Sequence, residues 1–179
     1  MSITAWIVLN YSLPTEPSRH RVAVWRALKK IGAVNIQQSM WILPDHADNR
    51  VTLQKIAREI ETNQGEALLM DSVFSDERHE ERIISLFNQI RDDEYQELIR
   101  ECEKYLLEIA KEVAHEKYTF AELEEEEAEL EKLTAWHAKI AARDLFHASH
   151  AGEAENKCQE IAMVFEDYSQ RVYAHEIVT

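Results

Sequence analysis

The chain is poor in backbone breakers. It has 3 glycines and 3 prolines in 179 residues, and only Gly152 of these six lies beyond Gly65. This excludes a Gly-rich phosphate loop and predicts long unbroken elements, which after Gly65 means helices. Cysteine is equally scarce. Cys102 and Cys158 cannot form a disulfide framework, and both fall in helical patterns. They read as reduced thiols, either as small buried hydrophobes or as a redox pair. No apolar run reaches the ~18 residues of a membrane span. Met1-Ser2-Ile3-Thr4 lacks the basic region and small-residue cleavage site of a secretory signal. These absences predict a cytoplasmic protein without a membrane partner. Neither a Ser nucleophile elbow nor clustered Cys ligands occur.

Charge is abundant but uneven. The net charge is -14, yet residues 1–75 hold 8 Lys/Arg against 7 Asp/Glu, whereas residues 76–179 hold 12 against 27. An acidic surface repels nucleic acid, so any contact with DNA falls to the first part.

Residues 3–13 form an apolar, β-branched and aromatic run ended by Pro14, which reads as a buried central strand. Thr15 is a candidate N-cap, Pro17 suits a first helical turn, and the helix runs to Ile31, where Gly32 stops it. Residues 33–44 are β-rich with a polar middle, Gln37-Gln38-Ser39. They form either one bent strand or a tight hairpin. Asp45 or Asp48 can cap a second helix with Val51, Leu53, Ile56, Ala57 and Ile60 on its apolar face, ended by Gly65. Residues 66–74 read as a last strand. The order β-α-β(β)-α-β is that of a ferredoxin-like, split βαβ unit.

From Asp76 the period is helical. Ile83, Leu86, Phe87 and Ile90 form one stripe, and Leu98, Cys102, Tyr105, Leu106, Ile109 and Val113 another. Thr119 and Glu122 read as a capping box. A third segment runs from Leu123 to Leu145, Gly152 punctuates it, and a fourth carries Cys158, Ile161, Ala162, Phe165, Tyr168 and Val172. Such narrow stripes must pack on one another. The Glu-rich run 122–131 keeps helical apolar spacing and reads as a solvated face, with an acidic partner-docking patch as the alternative.

The first helix carries the clearest chemistry. On a wheel at ~100° per residue, Arg19, Arg26 and Lys30 fall within about 40°, with Lys29 beside them. Val24, Trp25, Leu28 and Ile31 lie opposite, toward the sheet. Cations at this spacing can follow a phosphate backbone, although an ordinary solvated basic face has the same spacing. Arg21 falls on the sheet-facing side, where it reaches a carboxylate or carbonyl. Arg19, Arg21 and the helix N-terminus are the candidates for binding an oxyanion. All four tryptophans, Trp6, Trp25, Trp41 and Trp136, occupy expected core positions and read as packing groups.

A family resemblance rests on these same residues. Tyr11-Ser12-Leu13-Pro14, Pro17-Ser18, Arg21 to Lys29, Gly32-Ala33, Gln38 to Pro44 and Gly65-Glu66-Ala67 resemble the N-terminal domain of the ChrB family. That family comprises regulators associated with bacterial chromate-resistance operons. The resemblance implies transcriptional control of a chromate efflux transporter. Family members carry a further C-terminal domain, so a chain ending at Thr179 reads as a stand-alone relative or one half of a split system. More distantly, the strand–helix–strand order is similar to the middle domain of PaaX-type repressors and to small CRISPR-associated nucleases. Those nucleases place a metal-binding Asp where this chain has Ser12, and a hydroxyl does not replace a carboxylate there. That resemblance implies the fold and an edge-to-edge dimer rather than nuclease activity.

In the acidic part, Glu112 and His115 have the i, i+3 spacing of a di-iron bundle, and Asp144 with His147 forms a weaker copy. These are the metal candidates, with one Glu-x-x-His expected by chance among so many acids.

The sequence thus predicts an α+β protein: a ferredoxin-like domain at 1–75, then an acidic antiparallel helical bundle or long helical hairpin at 76–179. The expected role is a regulatory protein in chromate resistance, not an enzyme and without a cofactor, binding DNA through Arg19, Arg26, Lys29 and Lys30. Its expected partners are a second copy of itself, DNA and a second regulatory protein. A metal-binding protein or metal-dependent enzyme using the helical half, and a pure protein–protein interaction module, are the alternatives.

Overall fold

The computed structural model describes residues 5–178; the expected strand residues Ile3 and Thr4 lie outside them. The elements are β1 (Trp6–Ser12), α1 (Ser18–Lys30), β2 (Val34–Gln37), β3 (Met40–Pro44), α2 (Ala47–Thr62), β4 (Glu66–Ser72), α3 (Glu77–Ala114), α4 (Phe120–Ala142) and α5 (Ala151–Val178). They form two compact units that divide between Phe87 and Asn88, a boundary inside the span of α3.

The first unit is a four-stranded sheet in the order β2-β3-β1-β4, antiparallel throughout. This is the split βαβ arrangement that the element order predicts, giving an α+β protein. Trp6, Ile7, Val8 and Leu9 are all buried, as a central strand covered on both faces requires. Ile7 lies opposite Asp71, which takes an ion pair from Arg50 of α2 at 2.7 Å, so α2 covers the Ile7–Leu9 face. On the other face Trp6 meets Phe74 edge-on at 5.7 Å and Phe87 at 5.9 Å, and its Nε1 donates to Glu80 Oε1 at 2.7 Å. Leu68 and Met70 of the edge strand β4 remain exposed.

Residues 33–44 form a hairpin rather than one bent strand. Gln38 takes φ 39° in the turn, and β2 bulges between Asn35 and Gln37. Asn35 holds the turn by donating to the carbonyls of Gln38 and Met40. Thr15 does not cap α1; the cap position is Pro17, without a side-chain bond. The far end follows expectation. Gly32 at φ 81° closes a Schellman motif, with its N–H on Lys29 O and that of Ala33 on Leu28 O.

Neither Asp45 nor Asp48 caps α2, whose cap position is His46. Asp45 instead receives a bidentate pair from Arg50. Val51 is half exposed rather than buried, while Leu53, Ile56, Ala57 and Ile60 form the core face. At the α2 terminus Gln64 takes the left-handed conformation (φ 63°). Gly65 is needed for a different reason: a Cβ there would collide with the carbonyl oxygen of Ser12.

The second unit is a bundle of α4, α5 and the α3 residues from Asn88 onward. The two stripes expected before residue 114 belong to one 38-residue helix. Its core joins Tyr95, Leu98, Cys102, Tyr105 and Ile109 of α3 to Leu123, Leu133 and Ile140 of α4 and to Ile161, Tyr168 and Val172 of α5. Thr119 caps α4, its Oγ1 accepting from Glu122 N at 3.3 Å. Gly152 lies inside the first turn of α5 instead of punctuating the chain, and Ala162 is exposed.

Candidate nucleic-acid interface

Helix α1 buries only Val24 and Leu28. This narrow seam leaves the rest of its circumference to solvent or partial burial. Arg19, Arg26 and Lys30 are exposed as their wheel positions require, and Lys29 is partly buried. Two residues differ from the sequence-based placement. Arg21 is exposed and makes no hydrogen bond or ion pair among the described residues, so it does not reach across the sheet edge. Trp25 is 50% exposed rather than a core residue, and Lys29 Nζ lies 5.9 Å from its ring centroid. The sheet-facing arc is narrower than the apolar pattern suggested, because Val24 and Leu28 alone fill it. Of the other tryptophans, Trp6 and Trp41 are buried and Trp136 packs against the bundle core.

Helix α1 gathers several exposed cations. None of Arg19, Arg21, Arg26, Lys29 and Lys30 forms an ion pair among the described residues, although the chain carries 34 acidic side chains. By contrast, Arg50, Arg78, Arg143 and Arg171 each hold a carboxylate. On the α1 wheel Val22 and Trp25 fall between Arg21 and the Arg19–Arg26–Lys30 cluster. The exposed face therefore interleaves five cations with an indole ring. Its chemistry suits polyanions, with cations on phosphates and a flat ring able to stack on a base. No single motif marks Trp25 as exposed. The available signal was that Val24 and Leu28 already complete a one-turn seam.

A cleft of about 550 Å³ opens at the end of β1, lined by Asn10, Tyr11, Ser12, Ser39, Glu61 and Glu66 among others. Ser39 Oγ donates to Asn10 Oδ1 at 2.8 Å across its floor, and burial raises the Tyr11 phenol.

The metal candidates are not brought together. Glu112 is buried; its Oε1 accepts from Lys117 Nζ at 3.3 Å, and its Oε2 lies 3.1 Å from the same nitrogen. His115 is exposed, with Nδ1 2.8 Å from Lys111 O. Asp144 accepts from Tyr95 Oη and Ala148 N, while His147 is exposed at φ 57°. Among the described residues no group of three or more His, Cys, Asp or Glu side chains is placed to hold a metal ion. The Asp144 bonds belong instead to a polar network that ties the α4–α5 loop to α3. In that network Arg143 grips Glu94, and Asp92 accepts from Ser149 Oγ and His150 N.

Comparison with known proteins bears on residues well beyond α1. The family model described as Protein ChrB, N-terminal, matches residues 21–178. The chain belongs to the ChrB N-terminal family. A curated relative, Protein ChrB of Cupriavidus metallidurans (strain ATCC 43123 / DSM 2839 / NBRC 102507 / CH34), is 32% identical over 94 residues. That match covers 52% of this chain and 28% of the relative, so the chain spans well under half of that protein. No solved structure matches. The ChrB family match includes both the sheet unit from Arg21 and the acidic bundle, so the two occur together as the family's N-terminal region. Among the described residues no helix is long and apolar enough to cross a membrane.

Proposed function

We propose that this protein is a non-enzymatic regulatory module of chromate resistance that contacts DNA through α1. The supporting observation is the set of five cations on α1 that no carboxylate neutralises, in a chain whose net charge is -14. Arg19, Arg26, Lys29 and Lys30 would neutralise backbone phosphates and position the helix, and Arg21 adds a fifth cation at its N-terminal end. Trp25 supplies a flat apolar surface between them. Contacts of this kind supply affinity rather than sequence readout. Sequence choice would then come from a second copy of the chain or from a second regulatory protein. Membership of the ChrB family supports the regulatory role.

Charge reversal tests the reading. In fluorescence anisotropy with a labelled DNA duplex at low salt, the double variant R26E/K30E is expected to weaken binding by at least tenfold, with circular dichroism unchanged because both side chains are exposed. Trp25→Ala is expected to weaken binding by a smaller factor and leave the fold intact. Undiminished binding by the double variant sinks the proposal.

A further inference from the structure

The chain has two cysteines, and the fold brings them together. Cys102 lies on α3 and Cys158 on α5, 56 positions apart in sequence. Both are free thiols in one hydrophobic cluster, Cys102 fully buried within it and Cys158 packed against it with partial exposure. Their side chains are in hydrogen-bond contact, the Cys102 thiol donating to Cys158 sulfur. We propose that Cys102 and Cys158 are a modification site at which a hydroperoxide converts the two thiols to a disulfide joining α3 to α5.

Their different environments assign the order of events. Cys158 is the sulfur a small oxidant reaches, and the hydrogen bond from Cys102 lowers its thiol pKa. Cys102 is shielded, and donating that hydrogen bond, together with burial, raises its own. The Cys158 thiolate attacks the distal oxygen of hydrogen peroxide, the O–O bond breaks, and hydroxide leaves as water after taking a proton. The product is a sulfenic acid on Cys158. Cys102 sulfur then attacks Cys158 sulfur, the S–O bond breaks, and a second water leaves with the Cys102 proton. Two thiols lose two electrons and two protons, and one peroxide becomes two waters. Glu155 lies near Cys158 and Glu101 near Cys102, and these acids disfavour thiolate, so the reaction is slow compared with dedicated peroxidases. The bridge closes a long loop between two helices of one bundle and so restrains the unfolded chain.

The test uses the full chain, freed of reductant and treated with hydrogen peroxide. The expected product is a monomer lighter by about 2 Da, with no thiol titratable after denaturation, restored by dithiothreitol. Peptide mapping is expected to link the segment holding Cys102 to that holding Cys158, and the melting temperature to rise by about 5–10 °C. In C102S, Cys158 is expected to stop at a sulfenic acid that dimedone traps, whereas C158S is expected to leave Cys102 unreactive in the folded state. Two free thiols in oxidised wild-type protein, or crosslinks only between chains, overturn the proposal. The wild-type mass decides this even if a variant fails to fold.

Discussion

At the scale of single residues, the least expected placement is Glu126. The acidic run reads as a solvated face, and Glu124, Glu125 and Glu127 are indeed exposed. Glu126 is 6% exposed, because with Leu123 and Leu133 it occupies the buried side of α4. Its carboxylate has no hydrogen bond or ion pair among the described residues. Burial first, then the carboxylates of Glu108, Glu125, Glu112 and Glu122, push its pKa up to about 7. The folded state therefore holds a proton that the unfolded chain releases near the ordinary glutamate value. The contribution to stability is fully present below that value and falls as pH rises toward 7. Glu126→Gln is expected to match the wild type at pH 4 and to exceed it by about 1–3 kcal/mol at pH 8 in urea unfolding. A difference that does not change with pH contradicts this. The helical spacing was legible in the run. That one of its glutamates fills a core position was not, because charge outweighed phase in reading the pattern.

Among the elements, those with strong patterns were legible and those set by irregular backbone were not. The all-apolar run of β1 announced a strand covered on both faces, and Gly32 announced the end of α1. The β2–β3 turn gave no such sign, since Gln38 adopts a positive φ without the glycine or asparagine that usually marks it. The wheel of α1 located the basic face but placed Trp25 and Arg21 on the wrong side, because the sheet takes a narrower seam than the apolar residues offer. The start of α5 was also invisible. Its cap comes from another helix: Asp92 of α3 accepts from Ser149 Oγ and His150 N, each at 2.8 Å. Burial raises the Asp92 carboxyl, but these bonds and His150 together outweigh it and hold the group below the ordinary aspartate range. Asp92→Ala is expected to cost about 1–2 kcal/mol in chemical denaturation, as loss of a helix cap does. A cost near zero shows that the loop is held by Glu94–Arg143 and Asp144 alone.

For the whole molecule, charge divides between a near-neutral first part and an acidic second part. Several acids of the bundle pair with its own cations at i, i+3 spacing, such as Glu101–Lys104, Glu108–Lys111 and Glu129–Lys132. The cations of α1 are not so occupied. A polyanion held by this one helix loses affinity as salt rises, since each phosphate neutralised releases condensed counterions. The salt dependence of duplex binding in the wild-type protein is the decisive measurement. Arg19, Arg26, Lys29 and Lys30 predict a slope of log affinity against log salt of roughly -3 to -4 per bound chain, and R26E/K30E is expected to reduce it by about 2. Absence of binding at low salt, or a slope that the double variant leaves unchanged, rules out DNA contact through α1.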